Sequence, residues 1–218
     1  MVAFVAGVAL ASIFAGVAVA AGASGTGAVT TVASLVGLWA GFAGIPLVLS
    51  HTRGRGRLSI DFGLRFGGPA DIGLGIIGGL IAYAFLLLYS VAVSQFDGVD
   101  LGKGTDQVFG HGDGLTIGFV VIALAVTLGA PLVEELYFRG LVQPALQRRA
   151  GGAVGLVVTS GLFGLVHLGG NPVEAVVPLA VFGVVVGLLA WRTGRLGPGI
   201  VAHVTFNGIT VVLLAFTR

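Results

Sequence analysis

The sequence predicts an all-α fold, a polytopic transmembrane helical bundle of about seven spans that forms a single integral membrane domain over residues 1–218. Three observations carry this. Only 11 Lys and Arg and 9 Asp and Glu occur among 218 residues, against about 25% charged residues in an average soluble domain. Mean hydropathy is +1.06, more apolar surface than a soluble fold of this size can hide. The apolar residues also gather into runs near the ~20 residues that cross ~30 Å of hydrocarbon.

Seven runs stand out, at about Val2–Ala21, Ala28–Ser50, Ile72–Val93, Leu115–Val133, Ala153–Leu168, Val173–Trp191 and Gly199–Phe216. They are about twice the length of a transmembrane β-strand and lack its alternation, which leaves helices. Small residues at Ala20–Ser24 follow the first run as they would follow a secretory signal. No positive charge precedes it, however, and the run is long for a signal, so a retained helix is expected.

Basic residues set the orientation. The segments after the second, fourth and sixth runs hold Arg53, Arg55, Arg57, Arg65, Arg139, Arg148, Arg149, Arg192 and Arg195, nine of the eleven. The alternate segments hold only Lys103, among Asp97, Asp100, Asp106 and Asp113, and the terminal Arg218. Positive charge stays inside. The expectation is an integral protein of a prokaryotic cell membrane, N-terminus in the cytoplasm and C-terminus outside.

Other classes fall away. A net charge of +2 without a basic, aromatic-interleaved stripe gives no sign of nucleic-acid binding. The absence of cysteine excludes disulfides, thiolate metal sites and cysteine nucleophiles. The Asp- and Gly-rich stretch Asp97–Gly114 lacks the residue order of a calcium loop. His51 and His111 receive no role, and Glu174 is read as interfacial. Paired glycines such as Gly75 and Gly79, Gly161 and Gly164, and Gly183 and Gly187 are read as helix-packing positions.

Ionisable groups inside spans are expensive and hence candidates for function. Glu134 and Glu135 fall at the end of the fourth run, in Pro131-Leu-Val-Glu-Glu-Leu-Tyr-Phe-Arg139. His167 falls in the fifth, and His203 and Asn207 fall in the seventh. Glu135 and Arg139 are i and i+4 with the acid first, the better order for a helix ion pair. Glu134 lies about 100° round the helix from Glu135. One carboxylate can therefore be held by Arg139 while the other faces a cavity. A turn at Ala150-Gly-Gly152 would set Glu134 and His167 at matching depth. His203 and Asn207 share a face. Beyond Glu135 the fourth helix is expected to project as an amphipathic extension bearing Arg139, Gln143, Gln147, Arg148 and Arg149.

Glu-Glu-x-x-x-Arg, then Phe-x-x-x-His, then His-x-x-x-Asn, in successive helices, resembles the CAAX protease and bacteriocin-processing (ABI) family of intramembrane endopeptidases, over roughly Pro131–Asn207. The resemblance implies a catalytic core over about 115–216 and peptide hydrolysis near the cytoplasmic membrane face, on a membrane-associated peptide or protein. In that reading Glu134 takes a proton from water with help from His167, His203 and Asn207 stabilise the oxyanion, and Glu135 and Arg139 support the site. No cofactor is obligatory. Zinc is the open alternative, and Glu134, His167 and His203 would be its ligands. The competing class is a transporter or non-catalytic binding protein that uses the same polar cluster. Against it, the chain shows no paired halves.

Overall fold

The computed structural model describes residues 2–96, 101, 105, 108–109, 116–168 and 171–216. The protein is all-helical, with no strand among the described residues. Its helices are α1 (Val2–Ala20), α2 (Ala28–Arg53), the single turn α3 (Leu58–Asp61), α4 (Pro69–Val93), α5 (Ile117–Ala150), α6 (Gly152–Leu165), α7 (Val173–Thr193) and α8 (Gly197–Phe216). Five of them, α2, α4, α5, α7 and α8, are long and apolar enough to cross a membrane; α1 and α6 are shorter apolar helices. These seven correspond to the seven expected spans. The stretch Asp97–Gly114 and Arg218 lie largely outside the described residues.

As its expected extension implies, α5 continues past Val133 to Ala150, 34 residues in all. Two wide π-helical segments, Ala125–Gly129 and Leu136–Val142, interrupt it. Each ends two residues before a proline, Pro131 or Pro144. A proline cannot donate to the carbonyl four residues back, and its ring crowds that carbonyl. A widened turn accommodates both defects without breaking the helix. Its burial departs from expectation: Arg139 and Gln143 do not project but are buried, and only the end of the extension, with Arg148 and Arg149, is exposed.

The turn from α5 to α6 is at Gly151, whose φ of +91° lies in the region that favours glycine. Elsewhere, close backbone approach joins the helices. Side chains at Gly75 and Gly79 of α4 would collide with the backbone of α8 at Pro198 and Ala202. Lipid removes the hydrophobic drive between helices, so such contacts hold the bundle by packing. The centre is aromatic. Phe42 stacks on Tyr137 at 4.4 Å and meets Phe138 edge-on, and Phe163, Phe182 and Phe206 continue the cluster.

The arginine-bearing connections meet at one end of the bundle. Leu196 N donates to Gly63 O at 2.8 Å, and Arg195 forms a two-pronged ion pair with the buried Asp71. Asp71 in turn raises the pKa of Arg195 above its usual value. Asp61 accepts from Ser50 Oγ at 2.5 Å and from the amides of Arg55 and Arg57. The Ser50 hydroxyl, followed by the Arg55 amide, holds its carboxyl below the usual range.

Candidate active site

The site is built on the short α-helical stretch Ala130–Glu135 between the two wide segments of α5. Consecutive on that stretch, Glu134 and Glu135 point to different partners. Glu135 is fully buried, 3.3 Å from Arg139 Nη1. Glu134 lines a cavity of about 790 Å³. His167, His203 and Asn207 line the same cavity, so all four catalytic candidates share one wall space.

His203, near the start of α8, stands between the two acids. Its Nδ1 is 3.0 Å from Glu135 Oε1, and its Nε2 is 3.9 Å from Glu134 Oε2. A carboxylate accepts, so Nδ1 carries the proton and Nε2 is turned to Glu134. The ring packs against Phe182 at 4.7 Å and Phe163 at 5.9 Å, both T-shaped. Glu134 Oε2 is buried and has no hydrogen-bond partner within the protein.

His167 sits just beyond the end of α6, in a turn rather than within a span. Its Nδ1 is 2.7 Å from Phe163 O. The carbonyl can only accept, so Nδ1–H donates and Nε2 keeps its lone pair. Asn171 closes the turn by donating from its side chain to His167 O at 3.1 Å.

Asn207 lies one turn after His203 and donates through Nδ2 to Val126 O at 2.9 Å. Val126 belongs to the first wide segment of α5, where π geometry disturbs the regular carbonyl pairing. One proton of the Asn207 amide is thus used to hold α8 against α5, and the other is left for the cavity.

Beneath the site runs a polar ladder. Arg139 Nη2 donates to Gly183 O at 3.2 Å, and Gln143 Nε2 donates to Gly187 O at 3.0 Å. The guanidinium also lies over the Phe163 ring, 4.4 Å from its centre. Gly183 and Gly187 are therefore more than packing positions. Their bare backbone opens two carbonyls of α7 to side chains from α5. Gln143, Phe163 and Phe182 went unmarked as site residues in the sequence. The continued i+4 spacing Glu135, Arg139, Gln143 opposite Gly183-x-x-x-Gly187 was the available signal.

Two further features bear on the chemistry. Among the described residues, no three His, Asp or Glu groups are gathered closely enough to hold one metal ion. Glu134, His167 and His203 line one cavity without being gathered in that way. The cavity also has a direction. Its lining comes from Thr30 to Phe42 of α2, from Val126 to Phe138 of α5 and from His203 to Val211 of α8, together with the first turns of α7. On α2, α5, α7 and α8 these are the parts away from the arginine-bearing end; α1 adds Phe4 to Ser12, mostly in its first half.

No curated protein and no solved structure matches the chain. Residues 116–209, which contain every residue of the site on α5 to α8, match the family model described as type II CAAX prenyl endopeptidase Rce1-like. The site-bearing part of this integral membrane protein is thus similar to a family of membrane proteases, in agreement with the likeness its three motifs carry.

Proposed function

We propose that the protein is an intramembrane endopeptidase, with its catalytic core over about 115–216, that hydrolyses a peptide bond in a membrane-associated peptide or protein. The observation that carries this is the pairing of Glu134 with His203. Glu134 lines the cavity and keeps a buried carboxylate oxygen with no partner of its own beside an imidazole fixed from behind by Glu135. In the reaction, a water held between Glu134 and His167 Nε2 attacks the scissile carbonyl carbon. Its proton passes to Glu134 as the new C–O bond forms. The carbonyl oxygen becomes an oxyanion, met by the remaining Asn207 N–H and by His203 when its Nε2 is protonated. Donors in a water-poor site act more strongly than in bulk water. Collapse breaks the C–N bond, and the proton on Glu134 goes to the leaving amine.

The chain sits in a prokaryotic cell membrane, N-terminus in the cytoplasm and C-terminus outside, as the arginine distribution favours. No metal is obligatory in this scheme. The test is turnover of a peptide by purified protein, with Glu134→Gln and with a chelator. Loss in Glu134→Gln and retention with chelator support the scheme. Zinc that copurifies stoichiometrically and is lost together with activity in His203→Ala would replace it with a metal mechanism.

A further inference from the structure

Among the described residues, the wall that α2, α5, α7 and α8 give the cavity of Glu134 keeps clear of the arginine-bearing end, and Phe4 to Ser12 of α1 and Leu86 of α4 also line it. On α2 the lining residues are Thr30, Thr31, Ser34, Leu35, Leu38 and Phe42, all in the first two-thirds of the helix, which ends at Arg53 beside the arginine-rich segment. On α5 they stop at Phe138, before the helix passes Arg139 on its way to Arg148 and Arg149. On α7 they stop at Phe182, before Arg192. On α8, which starts next to Arg195, they begin only at His203.

The opposite half is closed directly under the site. Phe138, Phe163 and Phe182 form its floor, and below them lie the buried Arg139–Glu135 pair and Gln143, tied to the carbonyls of Gly183 and Gly187. Glu134 is the sole Asp, Glu, Lys or Arg on the described cavity wall. Aliphatic and aromatic side chains make up most of the rest, with hydroxyls at Thr30, Thr31 and Ser34 of α2 and others at Ser12 of α1 and Thr210 of α8.

We infer that the catalytic cavity is entered from the arginine-poor half of the membrane, which the positive-inside rule assigns to the outer face. The substrate is then an uncharged, largely apolar peptide segment presented from the outer leaflet or the extracytoplasmic space. This rests on the peptidase reading and moves the cleavage away from the cytoplasmic face that the sequence motifs suggest. A segment entering there reaches Glu134 without crossing the aromatic floor. A charged segment would leave its charge against an apolar wall, at a cost that selects against it.

The chain has no cysteine, so single cysteines report sidedness cleanly. Ser34→Cys and Thr31→Cys probe the cavity wall, and Arg55→Cys probes the arginine end. In intact cells an impermeant thiol reagent should label Ser34→Cys or Thr31→Cys before lysis and Arg55→Cys only after it. Labelling of both wall positions only after lysis, or of neither even in detergent, overturns the inference, as does labelling of Arg55→Cys from outside. A second arm uses sealed proteoliposomes and a fluorogenic apolar peptide bearing a charged, impermeant tag. External peptide should be cut in proportion to the molecules whose arginine end faces inward, as counted by Arg55→Cys labelling. Cleavage that follows the outward-facing arginine fraction overturns the inference. Absence of cleavage in detergent as well counts against the peptidase reading, and the labelling still decides the side of entry.

Discussion

His203 bridges two adjacent carboxylates, 3.0 Å from Glu135 through Nδ1 and 3.9 Å from Glu134 through Nε2. Neighbours in sequence, the two acids are thus the front and the back of one imidazole. Glu135 orients the ring and, with Arg139, balances charge in the interior; Glu134 meets the cavity.

The two glutamates should therefore separate experimentally. Glu134→Gln is expected to abolish hydrolysis and leave the melting temperature nearly unchanged, because the volume is kept and the buried Glu135–Arg139 pair stays intact. Glu135→Gln should lower stability, since it leaves Arg139 buried without its charge partner. Removing one member of a buried pair typically costs about 3–5 kcal/mol. Turnover and thermal unfolding in detergent, measured side by side, check this. Equal destabilisation with activity kept in Glu134→Gln would contradict it.

In the proposed scheme Asn207 has two tasks, and its removal should register in both. Loss of an oxyanion donor lowers kcat by roughly 10²–10³-fold with a smaller effect on KM. Asn207→Ala also leaves the Val126 carbonyl without its donor, which costs about 1–3 kcal/mol for a buried group. His203→Ala should match it in kcat. Steady-state kinetics with a parallel melt would separate the two effects.

Glycines that look alike in sequence should differ sharply. A Cβ at Gly187 would lie 2.5 Å from Leu156 Cδ1 and 2.7 Å from Gln143 Oε1, whereas one at Gly161 meets nothing within 4 Å. Gly187→Ala should destabilise by about 1–3 kcal/mol, the usual range for overpacking. Gly161→Ala should be neutral or slightly stabilising, as expected for Ala over Gly in a helix. Comparison of their melting temperatures is the check.

The arginine end carries a pH signature. Asp61 is held below its ordinary value of 3.8 by the Ser50 hydroxyl and the Arg55 amide. A carboxyl depressed in the folded state adds stability above the unfolded value and loses it as pH falls through the folded one. Asp61→Asn should therefore melt lower than the parent at neutral pH, with the gap closing as pH drops below 3.8. A gap of constant size across that range would assign Asp61 a purely steric role.

Much of this was legible in the chain. Hydropathy and run length mark the helices, because a bilayer asks only for apolar length. The Glu135–Arg139 pair and the Gly151 turn arise from local spacing and backbone preference. The burial of Arg139 and Gln143 was hidden, since both look like residues seeking water. Each instead donates one hydrogen bond to a carbonyl of α7, a partner 44 residues away in sequence. The two wide segments were hidden as well, because no hydropathy pattern distinguishes a π turn from an α turn. His167 was read as part of a span because its neighbours are apolar, although its carbonyl is taken by a turn.

The wide segment Ala125–Gly129 has a consequence for how this protein tolerates insertions and deletions. A π turn holds roughly one residue more than an α turn. It therefore acts as a stored angular offset of about 100° between the two stretches of α5 that it joins. Deleting one residue there would let the helix close into a regular α turn without loss of length elsewhere. The stretch bearing the site would then rotate relative to Thr116–Leu124. Either Glu134 swings off the cavity wall or Val126 swings away from Asn207. The aim of Glu134 is thus written as a residue count nine positions upstream of it, in a stretch whose side chains are all uncharged.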